Sequence, residues 1–361
     1  MSTRTLNRKS ITMGALLAAA ALVALACGST DDSAEGSDPD AKPETVRLLT
    51  YDSFALDDDA AAAFTEATGA RIEVIPAGDS GAMLAGALLT AGEPEADVIF
   101  GIDNTTVDKA VDGDLLEAFS PPAAEDLAPE LGAPGDAADV LTPVDTSEVC
   151  VNVDSGWFAD AGIDPPVDFE DLTSETLRDL LVVQNPVNSS PGLAFMLGTT
   201  EVFGEEGWLE YWQALKRNGV RVSPSWDDAY YNDYTVNGGD RPLVLSYASS
   251  PPAEVVFSEG ALDEPVSTVA DGTCVTQVEY AGVLAGAEHP ELARDLVEFM
   301  LSDPWQEAVA LSNFVYPVTD VELPEEFRLW APRPADPVVL DAQAVGRNLD
   351  RWLEQWRSVM E

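Results

Sequence analysis

Residues 96–104 read Ala96-Asp97-Val98-Ile99-Phe100-Gly101-Ile102-Asp103-Asn104. Ala96–Gly101 is a run of strand length, apolar except for Asp97, and reads as a buried strand. It ends on a polar pair, Asp103-Asn104. Upstream, Val46–Thr50 and Arg71–Ile75 are strand candidates. Asp57–Asp59 opens a helix through Ala60–Thr68 that Gly69 stops, and Ala82–Leu89 reads as a second helix. Strand–helix alternation predicts a parallel α/β sheet. In such sheets ligands sit beyond the C-terminal strand ends. Here those ends are Tyr51-Asp52-Ser53, Asp79-Ser80 and Asp103-Asn104.

The pattern resumes downstream. Leu180–Gln184 is a strand that runs into Asn185-Pro186-Val187-Asn188-Ser189-Ser190-Pro191-Gly192, with a helix expected from Leu193. Leu243–Ser246 is another strand, ending at Tyr247-Ala248-Ser249-Ser250-Pro251-Pro252. Two separate stretches thus carry polar strand ends, which predicts two α/β lobes facing one cleft. The C-terminal run Val345, Leu349, Trp352, Leu353, Trp356 and Val359 recurs at helical spacing. Trp352 and Trp356 therefore belong to a core face rather than to a ligand.

The N-terminus reads as an export signal. Arg4, Arg8 and Lys9 precede an apolar run from Ile11 to Ala26, which ends at Ala26-Cys27-Gly28. The run is short for a membrane-spanning helix. A Cys in this place resembles a bacterial lipobox, although Ala24-Leu25-Ala26 departs from the usual residues before it. We expect residues 1–27 to be a signal peptide with lipid attachment at Cys27. Residues 28–44, GSTDDSAEGSDPDAKPE, are almost free of apolar side chains and are expected to form a tether. The protein would then stand outside the cell membrane on its lipid.

The formal net charge is −47, and loss of the three basic signal residues would take it to −50. A chain this acidic is a poor partner for nucleic acid. It favours a cationic ligand only weakly, because an acidic surface also serves solubility. Beyond Cys27 the cysteines are Cys150 and Cys274. In an oxidising compartment this pair is expected to be bridged. The single histidine, His289, precedes Pro290 and Glu291 at a helix start and is expected on the surface. That leaves no histidine-based metal site and no Ser-His-Asp triad. No G-x-S-x-G elbow is present either, which argues against a hydrolase. We expect no enzymatic activity, no cofactor and no bound metal.

Several motifs, in order, resemble the thiamine-binding proteins of bacterial ABC importers. They are Thr50-Tyr51-Asp52-Ser53-Phe54, Ala96–Asn104, Gln184-Asn185-Pro186 with Ser189-Ser190-Pro191-Gly192-Leu193, Leu243–Tyr247 with Ser249-Ser250-Pro251, Gln277-Val278-Glu279, and Asn313-Phe314-Val315-Tyr316-Pro317-Val318. The resemblance covers roughly residues 46–325. It implies a two-lobed type II periplasmic-binding-protein fold, with strands crossing between lobes near 144–153 and 275–285. One lobe would comprise 45–147 with about 281–320, and the other 148–280 with 321–361. The resemblance also implies ligand contacts at Asp79, Ser80, Ser189, Ser190, Trp226, Tyr247, Ala248, Ser249, Ser250 and Phe314. Tyr51, Asp52 and Asp103 join this set from their strand ends. Where some relatives have a Trp after the Asp-Ser-Phe motif, this chain has Asp57–Asp59.

Thiamine is a flat cation with a hydroxyethyl tail that can carry phosphate. Trp226, Tyr247 and Phe314 would supply aromatic faces, with Asp79 or Asp103 supplying charge. Ser189-Ser190 at a helix start would hold a hydroxyl or a phosphate. The acidic bias favours free thiamine over its phosphates. The implied partners are a membrane permease and its ATPase subunits, and a monomer is expected. The alternatives within the same fold are a ferric-ion binder, using Tyr230-Tyr231 as phenolate ligands, and a binder of polyamines or other cations.

Overall fold

The computed structural model describes residues 44–360. The expected signal, Cys27 and all of the expected tether except Glu44 lie outside the described residues. The elements, in chain order, are β1 (Thr45–Thr50), α1 (Asp58–Thr68), β2 (Arg71–Pro76), α2 (Ser80–Leu89), β3 (Val98–Asp103), α3 (Val107–Asp112), β4 (Thr142–Asp154) and α4 (Ser155–Ala161). Next come β5 (Leu181–Gln184), α5 (Ser190–Arg217), β6 (Arg221–Ser223), β7 (Leu243–Tyr247), α6 (Pro251–Val256) and β8 (Ser267–Val283). The chain ends with α7 (Pro290–Phe299), α8 (Asp303–Ser312), β9 (Tyr316–Pro317), α9 (Glu325–Trp330) and α10 (Ala342–Met360).

The strands form one sheet in the order β2-β1-β3-β8-β4-β7-β5-β6, with β9 paired to β4. Two parallel patches lie at its ends. In one, β1 pairs with β2 and β3; in the other, β5 pairs with β6 and β7. Between them run the long strands β4 and β8, antiparallel to each other and to their neighbours. Each parallel patch is the base of one lobe, and β4 and β8 belong to both.

Strand β3 shows how the sequence builds the first lobe. Val98 and Phe100 pack with Phe64 of α1 and with Leu296 and Trp305. Ile99 and Ile102 pack on the other face with Met83 and Leu84 of α2. Strict alternation would place Ile102 beside Phe100. A register shift against β8 between Phe100 and Ile102 reverses the parity, and Gly101 at φ 103° takes the irregular position. The strand also lies two residues later than the expected Ala96–Gly101. Asp97 is turned away, its carboxylate accepting the backbone N–H groups of Arg47 at 2.8 Å and His289 at 2.9 Å. Asp103 stays in the sheet opposite Glu279. His289 is half-buried at the start of α7, not fully on the surface.

In the second lobe α5 begins at Ser190, three residues before the expected Leu193, with Pro191 in its first turn. Its apolar face carries Phe195, Leu197, Trp208 and Trp212, all fully buried. Gly204, at φ 66° and ψ 174°, breaks the helix into two. Helix α10 lays Val345, Leu349, Trp352 and Trp356 into the same core, where Trp212 and Trp356 meet edge to face at 5.6 Å. Both C-terminal tryptophans are therefore core residues. The preceding helix α9 packs elsewhere, placing Phe327 against Tyr316 and Ala310.

Cys150 of β4 and Cys274 of β8 form a disulfide. It lies where the pairing of these strands jumps from Val149–Val275 to Val151–Ala270. The bridge closes the irregularity, and Ala248 packs directly on it. A cross-link spanning 124 residues removes much of the freedom of the unfolded chain. Replacing both cysteines with Ala is expected to destabilise the protein by roughly 2–5 kcal/mol. Guanidinium unfolding of the double variant against the oxidised wild type checks this; coincident midpoints would contradict it.

Candidate functional site

A cavity of about 580 Å³ lies where the two lobes face each other. Tyr51 and Phe314 enter it from the first lobe, Trp226, Tyr230 and Tyr247 from the second, and Glu279 of β8 lies at its base. Each aromatic ring is held from behind. Trp226 stacks on Tyr230 with centroids 4.8 Å apart and planes within 13°, and its indole N–H donates to the Ser246 hydroxyl at 3.0 Å. Tyr247 lies 6.5 Å from the Trp226 ring, tilted by 41°. Tyr51 packs on Phe54 and Phe100, and its hydroxyl donates to Glu279 Oε2 at 3.2 Å. A Cβ at position 101 would come within 2.6 Å of the Tyr51 ring, so glycine is required there for this placement.

Phe314 has φ 54°, a left-handed conformation that strains a non-glycine residue. Its neighbour Asn313 braces the loop, donating to Ala55 O at 3.0 Å and accepting from Ala55 N–H at 2.9 Å. The Phe314 ring meets Phe257 edge to face at 5.5 Å, joining the lobes at the cavity mouth.

A second group of expected site residues meets at the back of this cavity. Asp79 caps α2 and accepts the backbone N–H of Trp226 at 3.0 Å through Oδ2. Ser80 Oγ accepts the N–H of Ser190 at 3.2 Å, and the Gly81 N–H donates to Asn188 O at 2.8 Å. The Ser190 hydroxyl donates to Asp103, which also accepts from Gln277 at 3.0 Å. These bonds bind one lobe to the other. Ser80, Asp103, Ser189 and Ser190 line a separate cavity of about 530 Å³ behind them, with Lys109 and Arg357 in its wall.

The remaining expected residues take structural places. Asp52 is exposed and accepts the N–H of Gly78 at 2.8 Å, tying together the loops after β1 and β2. Ala248 is buried on the disulfide, and its N–H donates to Glu148 O. Ser249 is buried with no partner for its hydroxyl, whereas Ser250 lines the aromatic cavity and shares a bond with Ser246. Sequence reasoning did not select Glu279, Glu254, Tyr230 or Phe257 for this site. Glu279 lay inside the quoted motif Gln277-Val278-Glu279.

The electrostatics of the aromatic cavity are one-sided. Glu254 and Glu279 line it, and among the described residues no Lys, Arg or His does. Beneath it, Asp145 of β4 stands directly opposite Glu279 of β8. Asp145 is 1% and Glu279 5% exposed, and Asp145 Oδ1 has no hydrogen-bond partner. Burial pushes the Asp145 carboxyl up to about 8. Burial, then the charges of Asp145 and Asp103, push Glu279 well above the ordinary carboxylate range. Burial likewise raises Tyr51 and Tyr247, which stay neutral hydrogen-bond donors. Asp79 and Asp103 are also raised by burial, opposed by the hydrogen bonds they accept. Among the described residues no group of three or more His, Cys, Asp or Glu is arranged to hold a metal. The arrangement brings aromatic faces and carboxyls from both lobes to one cavity.

A model of the bacterial extracellular solute-binding proteins matches residues 93–335. The chain belongs to this family. It is the substrate-binding component of an ABC importer, a non-enzymatic exported protein. The thiamine-binding periplasmic protein of Escherichia coli (strain K12) is 28% identical over 326 residues, covering 88% of this chain and 93% of that protein. A solved periplasmic thiamin binding protein superposes with a TM-score of 0.77 at 26% identity, over 88% of this chain and 96% of that one. Iron-bound HitA from Pseudomonas aeruginosa superposes at 0.69 with 19% identity, covering 88% and 99%, which shows the shared fold alone. The type II, two-lobed architecture implied by the sequence motifs is thus the architecture of the family.

The paired carboxyls give this solute-binding protein a distinctive pH dependence. The folded state binds more protons than the unfolded chain between the ordinary carboxylate pKa and the raised value. Stability therefore falls as pH rises through that window. From about pH 5 to 8, Glu279→Gln should remove part of the slope, up to about 1.4 kcal/mol per pH unit. Denaturant midpoints of wild type and variant across this range measure it; parallel slopes would contradict it.

Proposed function

We propose that this protein captures free thiamine between its lobes and delivers it to a membrane permease. The observation that carries this is the aromatic cavity lined by Trp226, Tyr247, Tyr51 and Phe314 and by carboxylates without a basic residue. A thiazolium against aromatic faces gains roughly 0.5–2 kcal/mol per contact, and more when water is excluded. A carboxylate facing the ring adds charge complementarity that a neutral or anionic solute lacks. The similarity to proteins named for thiamine binding points the same way.

The phosphorylated forms fit less well. The Ser190 hydroxyl at the start of α5, a donor that would hold a phosphate, is instead given to Asp103. Tyr230-Tyr231 does not favour iron. Tyr230 is stacked on Trp226, and burial raises its phenol, which opposes the phenolate a ferric ion needs. In this proposal closure of the lobes on thiamine creates the surface that the permease and its ATPase recognise. The protein acts as a monomer, held to the outer face of the membrane by a lipid on Cys27.

Tryptophan fluorescence or calorimetric titration with thiamine is expected to give binding at micromolar concentration or tighter, with thiamine phosphate weaker. Trp226→Ala should weaken thiamine at least about tenfold, given the loss of a desolvated cation–π face. No binding, or an unchanged affinity in the variant, would overturn the assignment or move the site. Cys27→Ser should release the exported protein from the membrane fraction; retention there would contradict the lipid anchor.

A further inference from the structure

The base of the aromatic cavity carries a feature that shape recognition alone does not require. Asp145 and Glu279 are cross-strand partners on β4 and β8, the strands shared by both lobes. Both carboxyls are buried, and only Glu279 reaches the cavity. The titratable groups acting on the pair come from every element around it. They are Tyr51 after β1, Asp103 at the end of β3, and Tyr247 at the end of β7. Tyr51 donates to Glu279, and none of these groups is basic. Two neighbouring carboxylates without a counter-ion cannot both ionise in a dry site. They titrate as one unit, and one proton stays with the pair at neutral pH.

We infer that the Asp145–Glu279 pair is the charge selector of the cavity, holding one proton while the cavity is empty and releasing it when a monocation binds. This inference rests on the thiamine assignment. The balance is simple: one positive charge enters on the thiazolium, and one proton leaves the carboxyl pair for solvent. The net charge is unchanged: the pair carries one negative charge when empty, and two negative charges against one positive when the cation is bound. A neutral solute of the same shape brings no charge and leaves the proton in place. Selection is thus between ligand charges, through a group that the aromatic walls do not supply. The release is coupled to β4 and β8, so it occurs on the strands that also carry lobe movement.

The test is calorimetric titration of the mature wild-type protein near pH 6.5, in buffers of different ionisation heat. The probes are thiamine and its neutral analogue with a thiophene in place of the thiazolium. Release of about one proton per thiamine is expected, and none with the analogue. Thiamine affinity should climb about tenfold from pH 6 to 7, while that of the analogue stays flat. Glu279→Gln and Asp145→Asn each leave a single carboxylate. Either should weaken thiamine binding, and the binding that remains should release less than about half a proton. If a variant fails to fold, the two wild-type titrations still decide the matter. Tight thiamine binding without proton release, or equal release in the variants, overturns the inference alone. Absence of thiamine binding at any pH overturns the thiamine assignment and the inference with it.

Discussion

The pairing of β4 with β8 is the constraint on which the rest of the structure depends. Each of these strands is long enough to run through both lobes, and together they separate two parallel patches that would otherwise be independent sheets. Every cavity wall is positioned relative to this crossing. Tyr51 follows β1 on one side of it, Tyr247 ends β7 on the other, and Glu279 is part of it. A solute held there touches both lobes and the strands that must flex between them. Capture and closure are therefore one event in this architecture, rather than two linked events.

Charge works on two scales that should be kept apart. The net charge of −47 is spread over the whole surface, where salt screens it within about 10 Å. It says little about a ligand. Asp145 and Glu279 at the base of the cavity are buried, and among the described residues neither has a basic partner. Glu148, further along β4, shows the contrast: its Oε1 accepts from Arg333 at 2.8 Å, and that cation offsets part of the burial effect on its titration. Asp145 has no such partner. The difference between these neighbours on one strand sets the cavity apart from ordinary acidic surface.

Much of the architecture was legible in the residues. Alternating strands and helices, the Asp57–Asp59 start of α1 and the apolar face of α10 all follow local rules of period and chain termination. The errors fell where tertiary bonds override those rules. Asp97 leaves the strand because two backbone N–H groups from distant segments meet its carboxylate. The site was legible in part. Trp226 and Tyr247 stand in polar turns, where an aromatic ring has little reason to be unless it meets something. Asp52 and Ala248 looked equivalent by position, yet they point into loop and disulfide contacts that no local pattern reveals. Tyr230 reaches the cavity by stacking on Trp226 four residues earlier, whereas Glu254 and Phe257 meet Trp226 and Phe314 there only because remote segments fold together.

The Cys150–Cys274 bridge lies beneath Ala248, next to the loop that carries Tyr247 and Ser250. A copy still in the reducing cytoplasm lacks this staple, and the loop then rests on an unsecured strand irregularity. With the thiols reduced, the wall that Tyr247 provides would lose the cross-link beneath it. Maturation of the cavity wall is thereby tied to an oxidising compartment.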